Sequence, residues 1–329
     1  MPPTRPSKKQ SDQDSFLSVD IGGTNVTCGL VSRGGAVLAT DIFPRAKGGD
    51  GPDELIGTIV GRFKKLWAAA DEAHRPTAVA IGAPGWIKPK EGVVVNAPNL
   101  AGWVDVPITQ IMSQALGLPA MLENDSNLYA LGEWLAGAGR GSDNQITVTL
   151  GTGVGAGLIL NGQLWSGSFT SAAEIGHIPL GPAHRVKCGC GRIGCLETVA
   201  SATAMARMAR EWLDSGRETL YADSAEGLNA QVLAELAEKG DAMSIHVFRE
   251  VGVALGQILS GVFNLLSLER AVLGGGGAGA FQFIKDPLLE YLETRLVTAK
   301  IHEIQVVKGT LGTNAPLVGA AVLLTAGGY

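Results

Sequence analysis

Three of the four cysteines, Cys188, Cys190 and Cys195, fall within eight residues, and His177 precedes them by eleven. Three thiolates and one imidazole make a tetrahedral zinc set, and Gly189, Gly191 and Gly194 allow the sharp turns that close ligands require. A disulfide would strand the third cysteine, and an iron–sulfur cluster would need Cys28, more than a hundred residues away. His184 is the alternative imidazole, with His177 ranked first. The set leaves no coordination position for water, so the expected zinc is structural rather than catalytic.

Glycine clusters supply the second kind of chemistry. Asp20-Ile21-Gly22-Gly23-Thr24-Asn25 follows an apolar run, and consecutive glycines let backbone N–H groups converge on an anion while Asp20 holds a metal ion or its waters. The same residues also suit a plain hairpin turn, and they match neither a Walker loop nor a dinucleotide fingerprint. Gly151-Thr152-Gly153-Val154-Gly155 repeats the pattern, and two such loops would clamp a nucleotide's phosphates. Gly274-Gly275-Gly276-Gly277 reads either as a flexible linker or as a surface for adenosine; the strand-like run before it favours the surface. In Glu123-Asn124-Asp125-Ser126, Asp125 suits a general base that takes a proton from a hydroxyl, although Asp125 or Ser126 could equally cap a helix.

These residues sit on alternating elements. Strand, glycine turn and strand succeed one another over 16–43 and again over 145–167, and placing Gly22 against Gly151 brings both units into register. Helices are expected over 52–73, 108–116, 202–215, 228–239, 242–266, 287–299 and 316–325, with strands at 78–82, 120–123 and 270–273. The Pro- and Asn-rich stretch 96–107 reads as loop. The pattern predicts an α/β protein of two similar lobes around a cleft. A disordered tail over 1–15, a small domain over 16–124, a large domain over 125–314 with the zinc loop at 174–197, and a C-terminal helix over 315–329 returning to the small domain complete the expectation.

With 26 Lys and Arg against 31 Asp and Glu, the net charge of −5 and the lack of a basic cluster argue against nucleic acid as a partner. The longest apolar run near the C-terminus is shorter than the ~20 residues a membrane span needs, and no targeting signal is visible, so no membrane partner and a cytoplasmic location are expected.

Together the motifs resemble the ROK family of repressors, open reading frames and kinases, within the actin-like ATPase superfamily. Glu174-x-Gly-His177 with Cys188-Gly-Cys190-Gly-x-x-Gly-Cys195-x-Glu197 carries most of the likeness. The resemblance implies a two-lobed, ribonuclease H-like fold and an ATP-dependent hexose kinase. It assigns phosphate and adenosine contacts to Asp20, Gly22, Gly23, Thr24, Asn25, Gly151, Thr152, Gly153 and Gly274 to Gly277, with magnesium accompanying ATP. It implies Asp125 as base, and Asn99, Asn124, Asp125, Glu174, His177 and Glu197 as ligands of the sugar hydroxyls. A homodimer or homotetramer is also implied.

Two positions depart from the family pattern: Asn25 replaces a common Lys, and Ala172-Ala173 replaces Ala-Gly before Glu174. Glucose phosphorylation at the 6-hydroxyl, as by a glucokinase, is the leading expectation. Fructose, mannose or allose and N-acetylhexosamines are the alternatives. A sugar-sensing transcriptional regulator is a more distant one, since only about fifteen polar residues stand before the first strand instead of a helix-turn-helix domain.

Overall fold

The computed structural model of the chain describes residues 14–46, 51–70, 74–222, 224–297 and 299–325. Within it the chain forms two compact units. The first holds the described residues up to Asp143, Gly157–Ala172 and those from Thr313 onward; the second holds Asn144–Ala156 and Ala173–Gly312.

The first unit opens with three β-strands, β1 (Ser15–Ile21), β2 (Asn25–Ser32) and β3 (Val37–Pro44), paired antiparallel in sequence. Helix α1 (Pro52–Ala69) starts on Pro52 with Asp53 and Glu54 in its first turn, where a fixed φ and negative charge both suit a helix N-terminus. It buries Leu55, Ile56, Ile59 and Phe63 against the sheet. Strand β4 (Pro76–Ala83) then pairs parallel with β1, and β8 (Ala120–Asn124) parallel with β4, giving the order β3-β2-β1-β4-β8. Between them lie β5 (Trp86–Lys88), β6 (Val93–Asn96), β7 (Val104–Val106) and α2 (Ile108–Leu116). These strands form a small antiparallel sheet, β5-β6-β7, and the stretch 96–107 expected to be loop carries β7 and the last residue of β6; strands of three or four residues are too short to show a period of two.

Helix α3 (Asp125–Ala136) belongs to the first unit, so that unit continues past the expected boundary at 124. The cause is its packing on α9 (Ala315–Thr325), an almost uniformly apolar helix buried along most of its length. The two helices cross so closely that a Cβ on Gly132 would meet the carbonyl oxygen of Ala315, and one on Gly319 that of Leu128. Residues 1–13, 47–50, 71–73 and 326–329, on which parts of the expected tail and of two expected helices fall, lie outside the described residues.

A second five-stranded sheet has the order β11-β10-β9-β12-β13, formed by β9 (Gln145–Leu150), β10 (Val154–Leu160), β11 (Gln163–Leu164), β12 (Arg270–Gly274) and β13 (Gln305–Lys308). Its order repeats that of the first sheet, with a hairpin on one side and parallel strands on the other, so the β-unit is duplicated in topology as well as in glycine pattern. The second unit adds α4 (Glu197–Ala200), α5 (Ala202–Asp214), α6 (Ala230–Glu238), α7 (Ala242–Leu266) and α8 (Phe281–Arg295). Helix α8 begins six residues before the expected start at Pro287, entered through a 3-10 turn over Gly276–Ala280. Pro287 sits inside it, missing one N–H, while Ile284, Leu288 and Leu292 are buried on the face that packs against α7 and offset that loss. Among the described residues no helix is long and apolar enough to cross a membrane.

Candidate functional site

In the first unit, the parallel strands deliver a group of acids to one end of the sheet. Asp20 lies opposite Gly82, and Glu123 follows on the next strand, also opposite Gly82. Asp20 Oδ1 is shut off from solvent without a hydrogen-bond partner. Burial, with the neighbouring charge of Asp125 added, pushes the Asp20 carboxyl up to about 8. Asp125 is also raised, again by burial first, while its bonds to Ser126 pull the other way. Its Oδ1 accepts from Ser126 N at 2.7 Å and from Ser126 Oγ at 3.3 Å. Glu123, 1% exposed, accepts on Oε1 from Asn124 N at 2.8 Å and Asn127 Nδ2 at 2.9 Å. Its Oε2 is a buried oxygen without a partner, and burial lifts the group to about 7.

The cap of α3 is Asn124, whose Oδ1 accepts from Ser126 N and Asn127 N at 3.0 and 3.3 Å. Asp125 is therefore the first helical residue and not the cap. That leaves its carboxylate for other work, and leaves Asn124 only its amide N–H groups to offer a ligand.

The turn Gly22–Thr24 joins β1 to β2, with Gly22 N donating to Asn25 O at 3.0 Å and residues 23–25 exposed. Asn99 is exposed in the turn between β6 and β7. Its carbonyl oxygen and that of Gly23 both accept from the same Arg45 nitrogen, at 3.0 and 3.1 Å. Sequence reasoning passed over Arg45 because a lone arginine after a strand carries no motif.

In the second unit, one ligand atom from each of His177, Cys188, Cys190 and Cys195 lies within 4.8 Å of the others. Cys190 Sγ is 3.7 Å from Cys195 Sγ, and Cys188 Sγ is 3.7 Å from His177 Nδ1. Thiolates at ~2.3 Å from a tetrahedral zinc stand about 3.8 Å apart, so donor chemistry and spacing both fit that ion. The Arg192 backbone N–H leads the interactions that hold the Cys190 thiol below its ordinary range. His184 is not among these donors, although its carbonyl oxygen closes over Gly194. His177 Nε2 is 3.9 Å from Glu174 Oε2, and Glu174 is well exposed.

Glu197, at the start of α4, joins this cluster to the second glycine loop. Its Oε1 is 3.3 Å from Cys188 Sγ, and its Oε2 accepts from Val154 N at 3.0 Å. A Cβ at Gly153 would collide with that same Oε2. Gly151 N donates to Gly153 O at 2.9 Å, and Ala202 N at the start of α5 donates to Gly151 O at 2.8 Å. Thr152 is exposed, with its carbonyl accepting from Thr203 Oγ1 at 3.0 Å.

The run Gly274 to Gly277 is a strand-to-helix turn held against β9, and not a linker. Gly274 pairs with Thr149, and Gly275, at φ +78°, would drive a Cβ into the Leu150 backbone at 2.7–2.9 Å. Gly275 and Gly276 are exposed, next to the residue that opens the Gly151 loop. The second unit thus brings two glycine loops and the cysteine cluster together, while the first unit brings together Asp20, Gly22 to Asn25, Asn99, Asn124 and Asp125.

Comparison with known proteins adds a third line of support. A family model described as the ROK family matches residues 16–326. A glucokinase of Thermotoga maritima is 33% identical over 94% of this chain and 96% of its own length. An N-acetylmannosamine kinase of Yersinia pestis is 31% identical over 93% and 97%. Among solved structures, a ROK family glucokinase from Streptomyces griseus in complex with glucose and AMPPNP matches with a TM-score of 0.80 at 34% identity, covering 94% of this chain and 98% of that one. A ROK family transcriptional regulator, a homolog of the E. coli MLC protein, matches with a TM-score of 0.85 at 26% identity over 95% and 78%.

Proposed function

The chain belongs to the ROK family, and from that premise we propose that it is an ATP-dependent hexose kinase that moves the γ-phosphoryl group to a sugar 6-hydroxyl, with glucose the first substrate to expect. The observation that carries this reading is Asp125. It stands at the first turn of a helix, relieved of capping by Asn124 and anchored on one oxygen by Ser126. The other oxygen accepts the hydroxyl proton as the sugar oxygen attacks, and the anchor fixes the direction of that acceptance.

Gly22 N and Gly151 N close their own turns, and the backbone N–H groups of Gly23 and Thr24 in the first loop and of Thr152 and Gly153 in the second are the ones that hold phosphates. Asn25 adds an exposed amide there, and within Gly274 to Gly277 the exposed Gly275 and Gly276 offer backbone without side chains to adenosine. Asn99, Asn124, Glu174, His177 and Glu197 present amides, carboxylates and an imidazole to the sugar hydroxyls. Glu197 holds the Val154 turn through Oε2, and with Cys188 as a zinc-bound thiolate that has no proton to donate, Oε1 is left for a sugar hydroxyl.

Asp20 fits the magnesium that accompanies ATP, since its buried Oδ1 lacks the partner that a cation or its water would provide. When bound, that ion neutralises charge on the transferring phosphates. His177, Cys188, Cys190 and Cys195 would hold a structural zinc, which would fix the tautomer and direction of the His177 ring and leave Nε2, 3.9 Å from Glu174 Oε2, for a sugar hydroxyl.

The test is a coupled assay of purified protein with ATP across glucose, fructose, mannose, allose and N-acetylated hexosamines, ranked by kcat/KM. Glucose in first place supports the reading in full. Preference for N-acetylmannosamine or fructose would change the substrate and leave the mechanism standing. Sugar binding without ATP consumption would transfer support to the regulator reading.

A further inference from the structure

The register of the first hairpin places a cation behind the first phosphate loop. Asn25 pairs with Pro44, so Arg45 is the residue that emerges beside Thr24, and its backbone N–H donates to Thr24 O at 2.9 Å. Its side chain then turns along the loop. A single nitrogen, Nη1, donates to the carbonyl oxygens of Gly23 and Asn99, fifty-four residues from Arg45 in the second case. Nε of the same guanidinium is buried without a partner, and no carboxylate among the described residues pairs with Arg45.

The Asn99 turn is held from its other side by its own backbone. Leu100 N donates to Ala97 O at 2.8 Å and Ala97 N to Trp103 O at 3.2 Å, while Trp103 is buried beneath it. Two segments far apart in sequence therefore share one donor atom. A guanidinium is always charged and keeps its donors in a fixed plane, so a shift of either carbonyl is felt by the other.

We propose that Arg45 is a positioning residue that locks the Gly22–Thr24 loop to the Asn99 turn, so that binding of sugar and binding of nucleotide reinforce one another. The assignment rests on the reading of these two segments as nucleotide and sugar contacts. A ligand that stills one segment spares the second ligand part of the cost of stilling the other, which is the origin of positive coupling.

Calorimetric titration of the hexose chosen by the substrate panel, with and without a non-hydrolysable ATP analogue, measures that coupling directly. In the wild-type protein the analogue should tighten sugar binding by about fivefold or more. In Arg45→Ala the factor should fall below about twofold, with kcat/KM reduced more than the affinity for either ligand alone. Arg45→Lys should recover part of the coupling, because its ammonium also presents several donors from one nitrogen. If Arg45→Ala fails to fold, Arg45→Gln, which loses the charge and most of the reach, carries the same expectation.

Wild-type coupling retained in Arg45→Ala or Arg45→Gln overturns the assignment, as does a wild-type factor of one. Coupling is read from binding, so it is separable from turnover. A protein that transfers no phosphoryl group to any hexose defeats the kinase reading, whereas an active enzyme with coupling unaffected by Arg45 defeats only this inference.

Discussion

At the residue scale, the chemistry depends on where protons reside on a few shielded carboxylates. Burial raises Asp125, so it stays protonated at pH values where an exposed carboxylate is already ionised. A protonated carboxyl cannot accept the sugar proton. The profile of kcat/KM should therefore rise with pH through a midpoint above the ordinary carboxylate range, and kcat/KM reports the free enzyme in which this shift applies. Asp125→Asn should keep sugar and nucleotide affinity in titrations while turnover drops about 10²- to 10⁴-fold. Activity within a few fold of wild type would remove Asp125 from the role of base.

Glu123 makes an opposite use of the same physics. Its folded-state value of about 7 lies above the ordinary 4.5, so its contribution to stability is present below pH 4.5 and is lost as pH rises through 7. Glu123→Gln keeps the Oε1 acceptor for Asn124 and Asn127 and replaces the orphaned oxygen by an uncharged amide. The variant should melt higher than wild type at pH 8, by on the order of 3 kcal/mol, and the difference should vanish near pH 4.5. Equal melting at pH 8 would show that the buried charge is compensated. The sequence offers Glu123 as one acid in a polar segment; only the neighbouring strands reveal that its second oxygen has no partner.

At the element scale, the convergence of the four side chains in the cysteine segment was legible because its signal is local: ligand types, spacing and turn-forming glycines occur within twenty residues. Its attachment to the Gly151 loop was not legible. Glu197 and Val154 are forty-three residues apart, and a carboxylate two residues after a cysteine does not announce which N–H it will accept from. The consequence is that loss of metal should reach the nucleotide. If the proposed zinc is bound, Cys190→Ser or chelation should release it as measured by elemental analysis, free the segment at Cys195 and with it Glu197, two residues on, whose carboxylate supports the Gly153–Val154 turn, and so weaken ATP affinity along with sugar affinity. A metal-free protein with unchanged nucleotide affinity would separate the knot from the loop.

The departure at Ala173 also belongs to this scale. Ala173 adopts φ +65°, the left-handed region that an alanine enters at a cost of about 1 kcal/mol, immediately before Glu174. The family pattern carries glycine there, and the structure supplies the reason. Ala173→Gly should raise the melting temperature slightly by relieving this strain, offset in part by the entropy glycine restores to the unfolded chain. A clear drop in melting temperature would mean that the methyl group is used in packing.

At the scale of the whole molecule, the duplicated β-unit was legible because both copies repeat the same strand, glycine turn and strand, a pattern set by neighbours in sequence, while the shared sheet order around it emerges only from the fold. The short strands β5 to β7 and β13, and the true start of α8, were hidden for the complementary reason: each is imposed by partners distant in the chain, and propensity is overridden by packing. The first unit shows this most directly, since its sheet and α3 are completed by α9 at residues 315–325. Leu317 is fully buried against Phe16, Val31 and Ala321, in a cluster that ties the last helix to the first strands. Truncating it should cost about 2–5 kcal/mol, because the surrounding backbone, with Gly29 directly beneath the side chain, cannot collapse into the cavity.

The four candidate metal ligands and Glu197 lie wholly within the second unit, so Leu317→Ala should lower the melting temperature and still retain whatever zinc the wild-type chain binds at temperatures below the transition. Differential scanning calorimetry and elemental analysis on the same sample decide it. Zinc lost together with stability well below the transition would mean that the cysteine cluster depends on the first unit's core.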